Sequence, residues 1–330
     1  MPAIPNSRRS FLRSSAAVGA ALVLPQSVRS ALSTLQHPVR LGIITDLHQD
    51  IMHDAPQRLD VFLRAMQQEQ PNALLQLGDF AYPTKQNEVV QKAFEDAHER
   101  TLHVLGNHEI DDGHSFDKVA ELWGMQGRYY TEQIDGLHLV VLDANEKPAH
   151  HRGGYPAHIG AQQLAWLETQ LREITGPIVV VSHQPLAGPS CIDNAAEVQA
   201  LLNAAADKVL LAVNGHTHID HVATTGMVPC LHVNSASYQW VGGDYRNTSY
   251  PAQIHAGHRW IEYTCPYRDS LFAVLTVDPD SGQVNVQGRS SEWAGKSPQE
   301  LGVLERTDWK HGVQVCPQIR SRQISGSVGQ

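Results

Sequence analysis

Five short polar motifs follow one another along the chain, and their side chains are of the types that bind metal ions. The motifs are Asp46-Leu47-His48, Gly78-Asp79, Gly106-Asn107-His108-Glu109, Ser182-His183 and Gly215-His216-Thr217-His218. Carboxylate, amide and imidazole ligands together suit borderline divalent metals rather than calcium or copper(I). The seven candidate ligands are Asp46, His48, Asp79, Asn107, His183, His216 and His218. Because seven ligands are too many for one ion, the set predicts a site for two metals.

Each motif follows an apolar run that predicts a buried strand. The strand-like runs are 39–45, 73–77, 101–105, 137–142, 177–181 and 209–213. Segments with helical spacing lie between them, at 57–69, 86–99, 162–173 and 195–206. This alternation predicts a layered α/β domain in which several strand ends deliver metal-binding side chains to one edge of a sheet.

The ordered set resembles the calcineurin-like metallophosphoesterase superfamily, whose pattern is D-x-H, G-D, G-N-H-[DE], H and G-H-x-H. The resemblance covers about residues 39–220, and every motif is present. It implies an α/β fold, a four-layer β-sandwich flanked by helices with the metal site at the strand ends. It also implies two divalent or mixed-valence metal ions, drawn from Mn, Fe and Zn.

The resemblance assigns a role to each motif residue. One metal would be held by Asp46, His48 and His218. The other would be held by Asn107, His183 and His216, with Asp79 bridging the two. His108 would be catalytic rather than a ligand. The expected reaction is hydrolysis of a small phosphomonoester or phosphodiester by a metal-bridging hydroxide, with His108 protonating the leaving alkoxide or stabilising charge on the phosphoryl group.

Two details depart from a simple match. Gly78-Asp79-Phe80-Ala81-Tyr82 also fits the G-D-x-x-Y motif of purple acid phosphatases, where the tyrosine ligates ferric iron, but that branch carries D-x-G where this chain has His48. His48 and Tyr82 would compete for one coordination position, so we favour His48 and interpret Tyr82 as a supporting residue. In addition, no carboxylate at a motif position orients His108, because neighbouring residues such as Glu109 tend to point apart.

The N-terminus resembles a twin-arginine export signal. Ser7-Arg8-Arg9-Ser10-Phe11-Leu12 precedes a short apolar stretch at 16–25, which is shorter than the roughly 20 residues that cross a bilayer. We therefore predict a signal peptide over 1–36, a periplasmic or otherwise exported protein, and no stable membrane span. Residues 37–290 would form the metallophosphoesterase domain, and 291–330 a polar C-terminal extension.

Charge and cysteine content narrow the expected partners. The net charge is −9, and removal of the arginine-containing leader makes the remaining body more acidic still. Such a body repels polyanions, so we expect a small phosphate-ester substrate and no nucleic acid polymer. The four cysteines are far apart and form no C-x-x-C pair, which argues against a thiolate zinc site. Disulfides and buried free thiols both remain open.

The segment 237–268 holds seven of the chain's 21 aromatic residues: Tyr238, Trp240, Tyr245, Tyr250, Trp260, Tyr263 and Tyr267. Two interpretations are open. The rings could cap the site and stack on an aryl or nucleobase leaving group, or they could pack into a small core of their own.

Two alternatives to a general phosphate-ester hydrolase remain. One is a nucleotide-specific phosphodiesterase acting on cyclic nucleotides or nucleoside diphosphate-linked compounds. The other is a non-catalytic metal- or phosphate-binding protein on the same fold. The presence of His108 beside the full ligand set counts against the second alternative, because a binder has no need of a catalytic acid.

Overall fold

Two six-stranded β-sheets form the centre of the structure, a computed structural model that describes residues 26–151, 153–224, 226–303 and 309–324. The strands are β1 (Val39–Ile44), β2 (Ala73–Gln76), β3 (Thr101–His103), β4 (Tyr130–Ile134), β5 (Leu137–Val141), β6 (Ile178–Ser182), β7 (Val209–Asn214), β8 (His221–Ala223), β9 (Cys230–His232), β10 (Tyr238–Trp240), β11 (Thr264–Pro266), β12 (Ala273–Asp278), β13 (Gln283–Gln287) and β14 (Arg322–Ile324). The helices are α1 (Gln26–Leu32), α2 (Ala55–Glu69), α3 (Glu88–Glu95), α4 (Phe116–Leu122), α5 (Ala161–Glu173), α6 (Ala195–Ala204) and α7 (Ala252–Gly257). The predicted leader residues 1–25 lie outside the described part of the chain.

The strand order places the motif-bearing strands side by side. The first sheet has the order β14-β13-β12-β1-β2-β3, with β1, β2 and β3 parallel to one another. The second sheet has the order β4-β5-β6-β7-β9-β8, with β5, β6, β7 and β9 parallel. Because parallel strands end at the same edge of a sheet, the residues that follow β1, β2 and β3 lie together in the first sheet, and those that follow β6 and β7 lie together in the second.

Alternation along the strands builds the four layers. In β6, Val179 and Val181 point into the core between the two sheets, whereas Ile178 and Val180 pack in the core that includes residues of α5 and α6. In β2, Leu75 faces the core between the sheets and Leu74 faces the core beneath α2 and α3. The predicted α/β sandwich with helices on both outer faces is therefore confirmed.

Both ends of the described chain pack on the sandwich. Val28, Leu32 and Leu35, in and after α1, belong to the core between the sheets. The predicted leader boundary at residue 36 stays a prediction, but these side chains are part of the folded domain. At the other end, β14 pairs antiparallel with β13 and so extends the first sheet. The predicted C-terminal extension thus contributes a strand of the sheet.

The aromatic-rich segment 237–268 folds against the edge of the sandwich. β10 and β11 pair antiparallel as a small separate sheet, and α7 lies between them in sequence. Behind β10 and β11, Val241, Cys265 and Val303 form a small cluster.

All four cysteines are free thiols, so the interpretation as unpaired thiols applies here. No helix within the described ranges is long and apolar enough to cross a membrane.

Candidate active site

The motif residues meet where strands of both sheets end. Asp46 follows β1, Asp79 follows β2 and Asn107 follows β3, all in the first sheet. His183 follows β6 and His216 follows β7, both in the second. The candidate site therefore lies at the junction of the two sheets, whereas the motifs alone predict a single sheet edge.

Unusual backbone conformations concentrate at these strand ends. Eight described non-glycine residues have positive φ, and five of them are candidate ligands: Asp46, His48, Asp79, His216 and His218. A side chain at positive φ carries a conformational cost, and such positions cluster at functional sites. The backbone is also closely packed at Gly106, since a Cβ there would overlap the backbone nitrogen of Asp79.

Three residues from the two sheets form the first ligand group. Asp46, His48 and His218 offer ligand atoms that all lie within 4.8 Å of one another. The Nε2 of His218 lies 3.1 Å from Oδ1 of Asp46 and 3.3 Å from Nε2 of His48. The Asp46 carboxylate also accepts a hydrogen bond of 2.6 Å from the Thr45 hydroxyl, which fixes its orientation.

Asp79 belongs to the second group and reaches toward the first. Its ligand atoms and those of His183 and His216 lie within 4.8 Å of one another. Oδ2 of Asp79 is 3.1 Å from Nε2 of His183 and 3.8 Å from Nε2 of His48, a residue of the first group. Asp79 is thus placed between the two groups, which is the position that a bridging carboxylate would occupy.

The surrounding hydrogen bonds fit a bound cation. His183 donates from Nδ1 to the backbone oxygen of Leu77 at 2.7 Å, which directs Nε2 toward the Asp79 carboxylate. The side-chain oxygen of Asn107 is buried and accepts no hydrogen bond from the residues that the structure describes. A buried amide oxygen without a donor is costly, and a metal ion would satisfy it. The donor set of oxygen and imidazole nitrogen suits Mn, Fe or Zn.

The electrostatics favour cation-binding forms of most of the candidate ligands. Burial opposes ionisation of Asp46, but His218 and His183 lower its pKa to about 2. The pKa of Asp79 lies well below its ordinary value because His183 and His108 outweigh its burial. Burial and the neighbouring His183 lower the pKa of His216 to about 4, so it is neutral. For His183, burial lowers the pKa but Asp79 raises it to about 10, so a bound cation would replace a proton there.

His108 has a carboxylate partner that sequence reasoning missed. Its Nδ1 lies 2.6 Å from Oδ2 of Asp111, and its Nε2 lies 4.0 Å from Oδ2 of Asp79. Asp111 follows His108 by three positions in a 3₁₀ turn, which brings its side chain back beside His108. Burial lowers the pKa of His108, but Asp79 and Asp111 raise it to about 9. The half-buried imidazole is therefore protonated near neutral pH.

Two tyrosine hydroxyls complete this network. The Tyr155 hydroxyl donates to Oδ1 of Asp111 at 2.8 Å, and the Tyr82 hydroxyl donates to Oδ2 at 3.3 Å. The contact with Asp111 supports the interpretation of Tyr82 as a supporting residue. Glu109 turns away from His108, because its Oε1 accepts a 2.7 Å hydrogen bond from the backbone N–H of Phe80. Burial and Asp79 raise the pKa of Glu109 to about 8.

A groove of about 1190 Å³ opens over the site. Candidate ligands and His108 form its floor: His48, Asp79, Asn107, His108, His216 and His218. Aromatic side chains form its walls: Tyr82, Tyr155, Tyr238, Trp240, Trp260 and Trp309. Several of these belong to the segment 237–268, which thus borders the site. The other candidate ligands, Asp46 and His183, are fully buried beneath the floor.

Comparisons with known proteins agree with this geometry. The calcineurin-like phosphoesterase family model matches residues 39–220, and a twin-arginine translocation signal model matches residues 5–25, so the chain carries a signal for that export route. No curated protein matches the chain.

Two solved structures share the fold. A dimetal phosphatase from Danio rerio has 16% sequence identity and a TM-score of 0.54, with 76% of this chain and 96% of that chain covered. GAP50, the anchor in the inner membrane complex of Plasmodium, has 14% identity and a TM-score of 0.52, with 85% and 90% covered. Because the family model spans more than half of the chain and the strand ends bring its motifs together, this chain belongs to the calcineurin-like phosphoesterase family.

Proposed function

We propose that the chain is a metal-dependent hydrolase of small phosphate esters, either monoesters or diesters. The position of Asp79 carries the proposal, since its carboxylate lies between two groups of histidines and beside His108. A site for two cations with an acid at its edge is suited to phosphoryl transfer to water.

The seven candidate ligands would hold two metal ions. Such ions supply Lewis-acid activation of water and neutralise charge on the phosphoryl oxygens. The chain's own contribution centres on His108. Asp111 and Tyr155 hold its ring so that Nε2 faces the site, and the protonated imidazole can donate its proton to the leaving oxygen. Asp111 accepts from Nδ1 and so stabilises the charged form of the ring.

The groove supports a small substrate rather than a polymer. Candidate metal ligands and His108 line it together with aromatic side chains. The net charge of −9 also disfavours a polyanionic partner. The alternative hypothesis is a protein that binds metal or phosphate without catalysis, and GAP50, which has a similar fold, is an anchor. The His108–Asp111 pair favours the hydrolase, because a binder gains nothing from an oriented proton donor.

A panel of aryl phosphomonoesters and phosphodiesters, assayed with added Mn, Fe, Zn or Co, tests the proposal. We expect metal-dependent hydrolysis of at least one ester class, together with about two metals per chain by elemental analysis. Asp79→Ala should lower both activity and metal content, whereas the exposed Asp117→Asn should leave both unchanged. Metal binding without hydrolysis across the whole panel would favour the binder instead.

A further inference from the structure

Exposed aromatic rings are concentrated in the groove. Among the described residues, the large hydrophobic side chains with substantial exposure are Val61, Val89, Tyr155, Met227, Trp240, Trp260 and Val313. Three of the seven, Tyr155, Trp240 and Trp260, line this one groove, with 47%, 43% and 40% of their surfaces exposed. Single exposed apolar residues need no explanation, but a group of aromatic rings around a site for chemistry indicates a ligand surface.

The rings form a continuous series that starts at the candidate metal ligands. Tyr238 stacks on His48, with ring centres 4.9 Å apart, and the next ring, Trp240, lies 6.4 Å from Tyr238. Tyr263 supports Trp240 from beside it, with ring centres 5.7 Å apart and planes only 10° from parallel. Two ring contacts therefore separate Trp240 from a candidate metal ligand, and Tyr263 fixes the orientation of its exposed ring.

Trp260 and Arg259 extend this surface at the rim. Trp260 packs on Tyr263 with ring centres 5.3 Å apart, and the Arg259 guanidinium lies 4.8 Å from the Trp260 ring centre. Among the described residues that line the groove, Arg259 is the one lysine or arginine, and it forms no ion pair with a described acidic residue. A guanidinium is planar and stacks on rings, so Arg259 lies over the Trp260 ring and places a positive charge beside it at the rim.

We propose that Trp240 and Trp260, which both pack on Tyr263 and are here named the aromatic wall, bind a planar aromatic group in the leaving portion of the phosphate ester. An aryl ring and a nucleobase share this chemistry, and the ring contacts lead from Trp240 through Tyr238 to His48 among the candidate metal ligands. This inference rests on the proposed hydrolase function. The aromatic wall favours phosphate esters of aromatic alcohols or nucleosides over aliphatic phosphate esters as substrates.

Benzyl phosphate and cyclohexylmethyl phosphate test the aromatic wall. Both release a primary alcohol, so leaving-group basicity is closely matched and only ring planarity differs. We expect kcat/KM to be about three- to tenfold higher for the benzyl ester, as aromatic pairing predicts. Trp240→Leu should bring the ratio close to one by lowering the benzyl value alone. The same substitution at Trp166, which packs on Tyr129 and does not line the groove, should preserve the ratio. The corresponding methyl diesters extend the test to diesterase activity.

Binding of benzylphosphonate and cyclohexylmethylphosphonate, measured by calorimetry on the Mn²⁺-supplemented protein, separates this inference from the proposed function. Tighter binding of benzylphosphonate that is lost in Trp240→Leu, without hydrolysis of any ester, would support the aromatic wall as a ligand surface and contradict the proposed hydrolase function. Equal binding of the two phosphonates, no binding of either, or an equal loss for both esters in Trp240→Leu would overturn the aromatic wall. Comparison of adenosine 5′-phosphate with ribose 5-phosphate then distinguishes a nucleobase from a simple aryl ring.

Discussion

At the scale of single residues, His108 depends on Asp111 for its orientation and charge. The two side chains are joined at 2.6 Å, and Tyr155 binds the same carboxylate. Asp111→Asn keeps the shape but removes the charge that stabilises the protonated ring. We expect turnover of esters with poor leaving groups to fall about tenfold to a hundredfold, and turnover of 4-nitrophenyl esters to fall much less. A plot of kcat against leaving-group pKa measures the difference.

Asp117→Asn on α4 is the control for this prediction, since it makes the same chemical change at an exposed position. Its leaving-group dependence should match that of the wild type. If Asp111→Asn instead lowered turnover of all esters equally and also lowered metal content, Asp111 would support the fold of the metal site rather than His108.

A second residue-scale prediction concerns His103, which is buried against Trp123 and Phe94. Burial lowers its pKa from 6.5 to about 4. The unfolded chain therefore takes up a proton near pH 6.5 that the folded chain refuses until about pH 4, so stability falls as the pH drops through this window. The contribution is roughly 3 kcal/mol. We expect His103→Gln to weaken the pH dependence of urea unfolding between these values, relative to wild type.

The exposed His37→Gln provides the matched comparison, and its unfolding free energy should follow the wild-type pH dependence. Parallel curves for His103→Gln and wild type would show that this imidazole does not contribute. Because the candidate metal ligands are present in all three proteins, their titration cancels from the comparison.

Short-range motifs explain how much of the site could be predicted from the sequence. Asp46 and His48 are two residues apart at the end of a strongly apolar run, and the structure places their ligand atoms within one group. Asp111 could not be found this way, because its contact with His108 depends on a 3₁₀ turn that has no apolar periodicity. Tyr155 lies 47 residues from His108, and only the packing of a loop brings the two together.

At the scale of elements, ion pairs from the C-terminal segment hold the loop that carries the candidate metal ligand His218. Asp220, two residues after His218, is fully buried and forms ion pairs with Arg320 and Arg322. Loss of one partner of a buried ion pair typically costs about 3–5 kcal/mol, because a buried charge is left uncompensated. Since Arg320 remains, we expect Arg322→Met to lower the free energy of unfolding by about 2–3 kcal/mol. Urea denaturation measures the change.

Arg268→Met is a suitable comparison because it breaks the exposed ion pair with Glu292. An exposed pair contributes about 0–1 kcal/mol, so this variant should remain close to wild type. Equal effects of the two substitutions would mean that the pairs with Asp220 do not anchor the C-terminal segment.

The elements missed by sequence analysis have weak patterns for a common reason. β4 reads Tyr-Thr-Glu-Gln-Ile and is largely half-buried at the edge of its sheet, so it lacks a continuous apolar run. β14 is three residues long and begins with Arg322, yet pairing with β13 makes it a strand. The central strands were predictable because they are buried on both faces and their runs are mainly apolar, with the polar residues Arg40, Gln76 and Asn214 at or next to a strand end.

At the scale of the whole molecule, the candidate metal centre joins the two sheets. Asp46 and Asp79 come from the first sheet, whereas His183, His216 and His218 come from the second. Metals that bind only the folded protein stabilise it by mass action, by about 3–4 kcal/mol at a free concentration of 100 to 1,000 times Kd. We therefore expect chelation to lower the Tm and added Mn²⁺ or Zn²⁺ to restore it.

Two variants locate the origin of that shift. Asp79→Ala removes the carboxylate that lies between the two ligand groups, so its Tm should respond little to chelation or to added metal. Asp111→Asn leaves every candidate ligand in place, so it should show the full wild-type shift even where its turnover is reduced. Equal shifts in Asp79→Ala and wild type would place the stabilising metals elsewhere in the protein. A full Tm shift in Asp111→Asn, with little shift in Asp79→Ala, would show that the stabilising metals bind at the junction of the sheets. It would also show that Asp111, which holds His108, acts on catalysis and not on metal binding.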